Sequence, residues 1–119
     1  MSNFLVAVVE DDESVRESLE GLLQSVGYEV LVYISGEGLL SSGRVDDIDC
    51  LITDYGLPGM NGIELLRAAL ASRAELPVIV ITARTEPAIL RQALAAGARH
   101  ALSKPIESAK LLQAVSGAT

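Results

Sequence analysis

Aromatic residues, cysteine and long apolar runs are all scarce in this chain of 119 residues. Phenylalanine, tyrosine and tryptophan together supply only 3% of the sequence, so the core must be built from aliphatic side chains. A single cysteine, Cys50, excludes an internal disulfide and cannot build a zinc site by itself. No stretch approaches the ~20 apolar residues of a membrane-spanning helix. The residues before Phe4 contain no basic segment of a secretory signal, and we therefore expect the protein to be cytoplasmic.

Acidic residues outnumber basic ones and give the chain a net charge of -7. Neither nucleic acid nor an anionic membrane attracts an acidic surface, so the charge argues against both as direct partners. Hydrophobic residues make up 50% of the chain and charged residues 21%, a balance typical of a globular domain rather than a disordered chain. The length suits one domain. We expect residues 1–119 to form this single domain, with no effector domain.

Short apolar runs alternate with segments in which apolar residues recur every three or four positions. The short runs predict strands and the periodic segments predict helices. The predicted strands are 4–9, 29–34, 50–54, 78–82 and 101–103, and the predicted helices are 15–26, 35–42, 62–70, 86–96 and 107–115. Asn61 and Thr85 are suited to cap the third and fourth helices. Right-handed crossovers between parallel strands cover both faces of a sheet, so the pattern predicts a flavodoxin-like α/β fold, a (βα)5 unit with a five-stranded parallel sheet and helices on both faces.

Polar residues follow four of the predicted strands: Glu10-Asp11-Asp12, Asp54, Thr82 and Lys104. Ligands bind at the carboxyl ends of the strands in open α/β sheets, so we expect these residues to converge on one site. Three consecutive carboxylates repel one another and are tolerated when they bind a cation or have raised pKa values. The alternative for this acidic segment is a solvated loop that caps a helix.

Asp54 ends an apolar strand and precedes a loop rich in glycine and proline. Small residues such as Gly56 allow a ligand to approach the backbone, although an isolated aspartate there can also simply form a turn. Mg²⁺ is commonly held by one or two carboxylates together with phosphate and water, so Asp11 and Asp54 are suited to share this ion. Thr82 alone would bond its own backbone, and Lys104 alone would be a surface charge. A lysine ammonium also suits a phosphoryl oxygen.

Four longer segments contain these residues: VVEDDESVR at Val8–Arg16, DYGLPGMNG at Asp54–Gly62, VIVITAR at Val78–Arg84 and GARHALSKP at Gly97–Pro105. In their order and spacing they resemble the receiver domain of two-component response regulators, and the resemblance covers essentially the whole chain. The receivers of the FixJ and NarL type look most similar. The resemblance implies a signalling domain rather than an enzyme, which changes conformation on phosphorylation to control a partner or effector.

The resemblance also implies a role for each polar residue near the phosphoryl group. Asp54 would accept this group from a phosphohistidine on a sensor histidine kinase or a phosphotransfer protein, and carboxylate attack would form an acyl phosphate. Thr82, the Ala83 amide and Lys104 would hold the phosphoryl oxygens. The Lys104-Pro105 peptide bond would be cis.

The implied cofactor is Mg²⁺. Asp11 and Asp54 would bind the ion directly, the Gly56 carbonyl would complete the ligands from the protein, and Glu10 would act through water. Asp12 is the alternative to Asp11 if the alignment shifts by one residue.

One position departs from the family pattern. Receivers usually have tyrosine or phenylalanine three residues before the conserved lysine, and this chain has Ala101 there. In the family the ring turns inward while the hydroxyl at Thr82 moves toward the phosphate. Without the ring, the two-state equilibrium is weakened, the switch is carried by backbone loops, or His100 replaces the ring. We expect His100 to be an exposed loop residue. Ile106 stands where phenylalanine is common in the family, and it keeps that position apolar.

Three other functions fit the sequence less well. A haloacid-dehalogenase-type phosphatase also forms an aspartyl phosphate, but it needs a second carboxylate where this chain has Gly56. A flavodoxin-like cofactor binder needs a hydroxyl-rich or glycine-rich loop where this chain has Glu10-Asp11-Asp12. A phosphorylation-independent interaction module with a relic site is favoured only by Ala101.

Regulation and output are less defined by the sequence. In the family, Gly56 and Arg84 would flank the path of hydrolytic water, and we expect Arg84 to tune loss of the phosphoryl group. The sequence does not identify the output partner. Phosphorylation could stabilise a homodimer by shifting the population of an interface-competent state.

Overall fold

The computed structural model describes residues 3–83 and 86–118 of the chain. Within these residues, five strands alternate with five helices. The strands are β1 (Leu5–Val9), β2 (Glu29–Tyr33), β3 (Cys50–Asp54), β4 (Val78–Thr82) and β5 (His100–Ser103). The helices are α1 (Glu13–Ser25), α2 (Gly36–Ser42), α3 (Gly62–Ser72), α4 (Pro87–Ala95) and α5 (Ser108–Ser116). The predicted alternation is confirmed.

All five strands pair in parallel, in the order β2-β1-β3-β4-β5. Because β1 lies between β2 and β3, the chain first adds a strand on one side of β1 and then continues on the other side. A change of direction of this kind opens a crevice at the carboxyl ends of the strands. The register pairs Val9 of β1 with Thr53 of β3, so the next residues, Glu10 and Asp54, are neighbours in this crevice.

Helices cover both faces of the sheet, as predicted. On one face, Leu23 of α1 and Leu111 of α5 belong to the same buried cluster. On the other face, α2, α3 and α4 contribute Leu39, Leu66 and Ala93 to a second cluster. No aromatic side chain is among the buried core residues of the described chain, which confirms the expected aliphatic core. Within 3–83 and 86–118, no helix has both the length and the apolar character needed to cross a membrane.

The two central strands that lead to the site are buried along their whole length. Every residue of β3 and of β4 is buried, because helices cover both faces, and this explains why each strand is a continuous apolar run rather than an alternating one. Asp54 and Thr82 are the last residues of these strands. Their polar side chains therefore lie where the helical cover ends.

The strand bounds differ slightly from those predicted. β1 begins at Leu5 and β2 ends at Tyr33, so each is one residue shorter than expected. The expectation that His100 is an exposed loop residue is wrong. His100 is half-buried and begins β5, because the parallel pairing with β4 sets it opposite Ile79.

Two helix starts were predicted from capping residues. Asn61 caps α3 as predicted: its Oδ1 accepts two backbone N–H groups at 2.9 Å, and Glu64 Oε1 accepts the Asn61 N–H at 2.8 Å in return. This reciprocal pair is a capping box. α4 begins at Pro87, and its N-cap Glu86 makes no side-chain capping hydrogen bond. Thr85, the predicted cap, lies outside the described residues.

Candidate functional site

The acidic segment after β1 contains side chains with different surroundings. Glu10 is only 1% exposed, and its Oε2 accepts the Asp12 N–H at 3.2 Å. Asp12 is the N-cap of α1, where its Oδ1 accepts the Val15 N–H at 3.0 Å. Asp11 is exposed and forms a carboxylate cluster with Glu10 and Asp54. The structure therefore places Asp11 in the cluster, whereas Asp12 uses its carboxylate to cap the helix.

Asp54 lies at the end of β3 and is 7% exposed. The backbone of Gly56 borders its carboxylate, since a methyl group added at Gly56 would lie 3.8 Å from Asp54 Oδ2. The loop after β3 closes where Gly62 donates its N–H to the Tyr55 carbonyl at 2.9 Å. The end of β3 and the loop after it thus bring the Asp54 carboxylate and the backbone of Gly56 to the same crevice.

The backbone of Asp54 and Tyr55 packs closely against Gly62, so a substitution at Gly62 tests this packing. Gly62→Ala is expected to lower the free energy of unfolding by about 1–3 kcal/mol. The added methyl group would contact the Asp54 carbonyl oxygen and lie 2.8 Å from Tyr55 Cα, and these backbone atoms cannot rotate away as a side chain can. Urea denaturation measures the change.

Gly21→Ala is the matched control for Gly62→Ala. Gly21 lies inside α1 and an added methyl group would have nothing within 4 Å, so better helix propensity should stabilise the protein by about 0.5–1 kcal/mol. A Gly62→Ala protein as stable as the parent would contradict the close packing of α3 on the end of β3.

Thr82 ends β4 with a buried hydroxyl. Its Oγ1 has no hydrogen-bond partner among the described residues, so Thr82 does not take the alternative role of a hydroxyl that bonds its own backbone. A buried hydroxyl without a partner is uncommon and marks a place where a ligand, an ion or a water molecule can supply one. Its backbone carbonyl accepts the Lys104 N–H at 2.8 Å, which fixes the start of the segment after β5 beside Thr82.

Two features of the backbone lie next to Thr82 and Lys104. Ala83 is exposed and lines a groove that also contains Lys104. The Lys104-Pro105 peptide bond is cis, as the family resemblance implied. Arg84 lies outside the described residues, so its influence on loss of the phosphoryl group stays a prediction.

Lys104 joins the carboxylates of two strand ends. Its Nζ lies 3.1 Å from Glu10 Oε1 and 3.2 Å from Asp54 Oδ1. The two carboxylate side chains are 2% and 9% exposed, whereas the lysine side chain is 30% exposed. Lys104 is therefore not an ordinary surface charge, because it neutralises two side chains that the fold has removed from water.

The pKa values of this group reflect its burial and its charges. Burial raises the pKa of Glu10, and the negative charge of Asp54 adds to the increase, while Lys104 opposes it. Burial alone would lower the pKa of Lys104, but the contact with Glu10 and the charge of Asp54 outweigh it, so the pKa of Lys104 is raised. The ammonium form is thus held in place by the two carboxylates.

The carboxylate cluster fits a hard divalent cation. Glu10, Asp11 and Asp54 can bring carboxylate oxygens within 4.8 Å of one another. Three ionised carboxylates against the one ammonium of Lys104 would leave two negative charges at the cluster. Oxygen donors with this charge suit Mg²⁺, so the residues present fit the ion.

The position of the missing aromatic ring is visible beside β5. Ala101 pairs with Val80 of β4, and a cavity of about 330 Å³ next to it is lined by residues that include Leu90 and Ile106. Among the described residues, no aromatic side chain lines this cavity. Successive residues of a strand point to opposite faces of the sheet, so His100 faces away from Ala101 and does not replace the ring.

Two charged residues that contact the site loops were not singled out from the sequence. Arg16 Nη1 donates to the backbone carbonyls of Glu10 at 3.0 Å and Asp11 at 3.5 Å. Glu37 accepts the Met60 N–H at 2.9 Å from a position 23 residues away. Arg16 belongs to a motif that was recognised, but its backbone contacts depend on the fold. No local pattern marks Glu37.

Comparisons with known proteins agree with this geometry. The sequence model of the response regulator receiver domain matches residues 6–116. The chain is 38% identical over 110 residues to the transcriptional regulatory protein FixJ of Azorhizobium caulinodans, which covers 92% of this chain and 52% of that protein. The chain spans about half the length of the curated relatives that it matches first.

Solved structures show the same architecture. A putative response regulator from Chloroflexus aurantiacus superposes with a TM-score of 0.91 at 32% identity, covering 98% of each chain. The chemotaxis protein CheY4 of Vibrio cholerae superposes with a TM-score of 0.89 at 28% identity, covering 99% of this chain and 100% of that one. The similarity therefore extends over the sheet, both helical layers and the crevice.

Proposed function

This chain belongs to the response regulator receiver domain family and is similar to its FixJ-type members, and we propose that Asp54 is the residue that accepts the phosphoryl group. Receiver domains of two-component systems are signalling modules that interact with sensor kinases or phosphotransfer proteins. The observation that carries the proposal is the contact of the Lys104 ammonium with the buried carboxylates of Glu10 and Asp54. Concentrated buried charge of this kind is typical of functional sites.

Asp54 is the nucleophile of the proposed reaction. One of its carboxylate oxygens forms a bond to phosphorus while the bond from phosphorus to the donor's histidine nitrogen breaks, and the electron pair of that bond stays on the nitrogen. The product is an acyl phosphate. In this proposal Lys104 neutralises the phosphoryl oxygens, and the Thr82 hydroxyl and the Ala83 N–H donate to them. Phosphoryl transfer depends mainly on such positioning and neutralisation.

The proposed Mg²⁺ ligands are the carboxylates of Asp11 and Asp54 and the carbonyl of Gly56, with Glu10 acting through water. Asp12 is left out of the set because it caps α1. When bound, Mg²⁺ supplies positive charge that offsets the negative charge on the oxygens of the phosphoryl group.

Phosphoryl uptake from acetyl phosphate tests the proposed function. Intact-protein mass spectrometry is expected to show one added phosphoryl group with Mg²⁺ and none after Mg²⁺ is removed by EDTA. If neither acetyl phosphate nor a histidine kinase produced an adduct, the phosphorylation-independent interaction module would be favoured instead. Family membership and the intact acidic cluster support the receiver function over this alternative.

The groove beside Lys104 supports a place for the protein that donates the phosphoryl group. It has a volume of about 540 Å³ and lies between α1 and the segment after β5, where apolar side chains such as Leu22 and Ile106 line it. A donor must cover Asp54 to deliver its phosphohistidine, and exposed apolar surface next to a site is typical of a protein interface. We place the sensor kinase or phosphotransfer protein in this groove.

Ser18→Arg is expected to slow phosphoryl transfer from a protein donor, the kinase, but not from a small-molecule donor, acetyl phosphate. Ser18 is exposed and lines the groove, so a long charged side chain there should obstruct a protein and not a small molecule. We expect transfer from a phosphorylated kinase to fall about tenfold or more, which corresponds to about 1.4 kcal/mol of binding. Uptake from acetyl phosphate should be unchanged. Rates from radiolabelled kinase measure the difference.

Ser72→Arg is the matched control, because Ser72 is an exposed serine at the end of α3. It should leave both rates at the parent value. Equal rates of kinase transfer to the Ser18→Arg and parent proteins would remove the groove as the docking place.

The response to phosphorylation is proposed to run through Thr82 and the backbone that follows β4. The ring that usually reports the state of the site is absent at Ala101, and His100 faces the other side of the sheet. This leaves a switch carried by loops, with a weakened two-state equilibrium as the other possibility. The single-domain organisation of residues 1–119 and the homodimer stay predictions.

A further inference from the structure

Glu37 connects α2 to the loop that follows β3. It lies in the first turn of α2, and its Oε2 accepts the Met60 N–H at 2.9 Å. This hydrogen bond is the main cause of the lowered pKa of Glu37, and the backbone N–H of Glu37 itself adds to it. The carboxylate is exposed, yet its position is fixed by the loop.

A glycine precedes each partner of the hydrogen bond between Glu37 and Met60, and each glycine lies close to the opposite partner. Gly59, directly before Met60, has a φ of +73°, and a methyl group there would lie 3.1 Å from Glu37 Cδ. Gly36, directly before Glu37, packs against the Met60 side chain, since a methyl group there would lie 2.9 Å from its Sδ and Cγ. Glycine at each position allows the close approach, and a side chain at either one would displace the Met60 or Glu37 side chain from its present place.

The other hydrogen bonds of this loop are local. Asn61 donates its N–H to Glu64 of α3, and Leu57 and Gly62 donate to the Tyr55 carbonyl. Among the hydrogen bonds of the described residues, only the one from Met60 to Glu37 ties the stretch 56–61 to an element other than α3. Leu57 anchors the loop by packing into the core, but the glycines around it leave the backbone pliable. The contact with Glu37 therefore adds a second anchor, at Met60.

We propose that Glu37 is a positioning residue of the metal site, which holds the loop so that the backbone of Gly56 stays beside Asp54. This inference rests on the proposed function, because it assumes that Gly56 and Asp54 bind Mg²⁺. Glu37 does not touch the ion. It acts through the backbone between Gly56 and Met60, and outer contacts of this kind set the affinity of metal sites.

Two replacements of Glu37 are expected to change Mg²⁺ binding to different extents. Glu37→Ala removes the acceptor of the Met60 N–H and should weaken Mg²⁺ binding about tenfold. Glu37→Gln keeps an oxygen that can accept the same N–H, so it should restore most of the affinity although it removes the charge. A role of the charge alone would give equal losses in both variants.

The experiment uses MgCl₂ alone as the probe on unphosphorylated protein. Backbone NMR spectra give the dissociation constant of Mg²⁺ from the shifts of residues around Asp54, and hydrogen exchange gives the protection of the Met60 N–H. Glu75→Ala is the matched control, since Glu75 is an exposed glutamate in the turn after α3. Urea denaturation reports the stability of every variant.

The expected result is weaker Mg²⁺ binding and faster exchange at Met60 for Glu37→Ala, with the Glu37→Gln and Glu75→Ala proteins close to the parent. Parent affinity in Glu37→Ala would overturn the inference and leave the proposed function intact. A parent protein that binds no Mg²⁺ would overturn the proposed metal site and the inference with it.

Discussion

Asp54→Asn is expected to abolish phosphoryl uptake from acetyl phosphate and from a histidine kinase. An amide is a much weaker nucleophile than a carboxylate, and it brings no negative charge to a cation. The fold should persist because the amide has the same shape. After burial itself, the charge of Asp54 is a further cause of the raised pKa of Glu10, and the substitution removes this repulsion. Intact mass measures the uptake and circular dichroism the fold.

Asp46→Asn makes the same chemical change on an exposed residue of the loop between α2 and β3. It should accept a phosphoryl group at the parent rate. Continued uptake by a folded Asp54→Asn protein would show that another residue is the acceptor. Loss of uptake in both variants would mean that total charge, rather than Asp54, controls the reaction.

Lys104→Met is expected to slow phosphoryl uptake about 100- to 1,000-fold, the loss typical of removing one donor to developing negative charge. It should also destabilise the protein in the absence of Mg²⁺, because Glu10 and Asp54 would remain buried without their cation. Breaking a fully buried ion pair costs about 3–5 kcal/mol. The Lys104 side chain is 30% exposed, so solvent screening should reduce the cost to about 1–3 kcal/mol. Uptake rates and urea denaturation measure the two effects.

Lys110→Met removes the other lysine of the chain and is its control. The Lys110 side chain is 65% exposed and lies 3.7 Å from Glu107 on the same helical turn, so its loss should change stability by less than about 1 kcal/mol. Uptake should be unaffected. A Lys104→Met protein that takes up phosphate at the parent rate would contradict the role of this ammonium.

Most of the fold could be predicted because local patterns and global topology agree. The apolar runs that became β3 and β4 are buried on both faces, and Asn61 marks the start of α3 with a capping box. The periodic apolar residues predicted the fourth helix within one residue at each end, although its N-cap Glu86 makes no side-chain capping bond. The pairing that brings His100 into β5 depends on β4, which is distant in sequence, and the residues around His100 do not reveal it.

The convergence of the site residues could be predicted from strand ends, but their contacts could not. Sequence order placed Glu10, Asp54 and Lys104 at one edge of a parallel sheet. The register between strands decides that one ammonium contacts both carboxylates. The hydroxyl of Thr82 is left without a partner for the same reason, because its surroundings come from the tertiary packing.

The residues that position the loops were the least accessible to sequence reasoning. An exposed glutamate near the start of a short helix, such as Glu37, looks like a stabilising charge at a helix N-terminus. Its hydrogen bond to Met60 spans 23 positions and arises only when α2 and the loop after β3 pack together. Long-range contacts to backbone groups leave no periodic or local signal.

The location of the phosphoryl group in the phosphorylated protein decides whether Asp54 is the acceptor. The protein is phosphorylated with acetyl phosphate and Mg²⁺, reduced with borohydride so that an aspartyl phosphate becomes homoserine, and mapped by peptide mass spectrometry. We expect homoserine at position 54 and at no other aspartate. Conversion of Asp11 or Asp12 instead, or a phosphoryl group retained on His100, would contradict it.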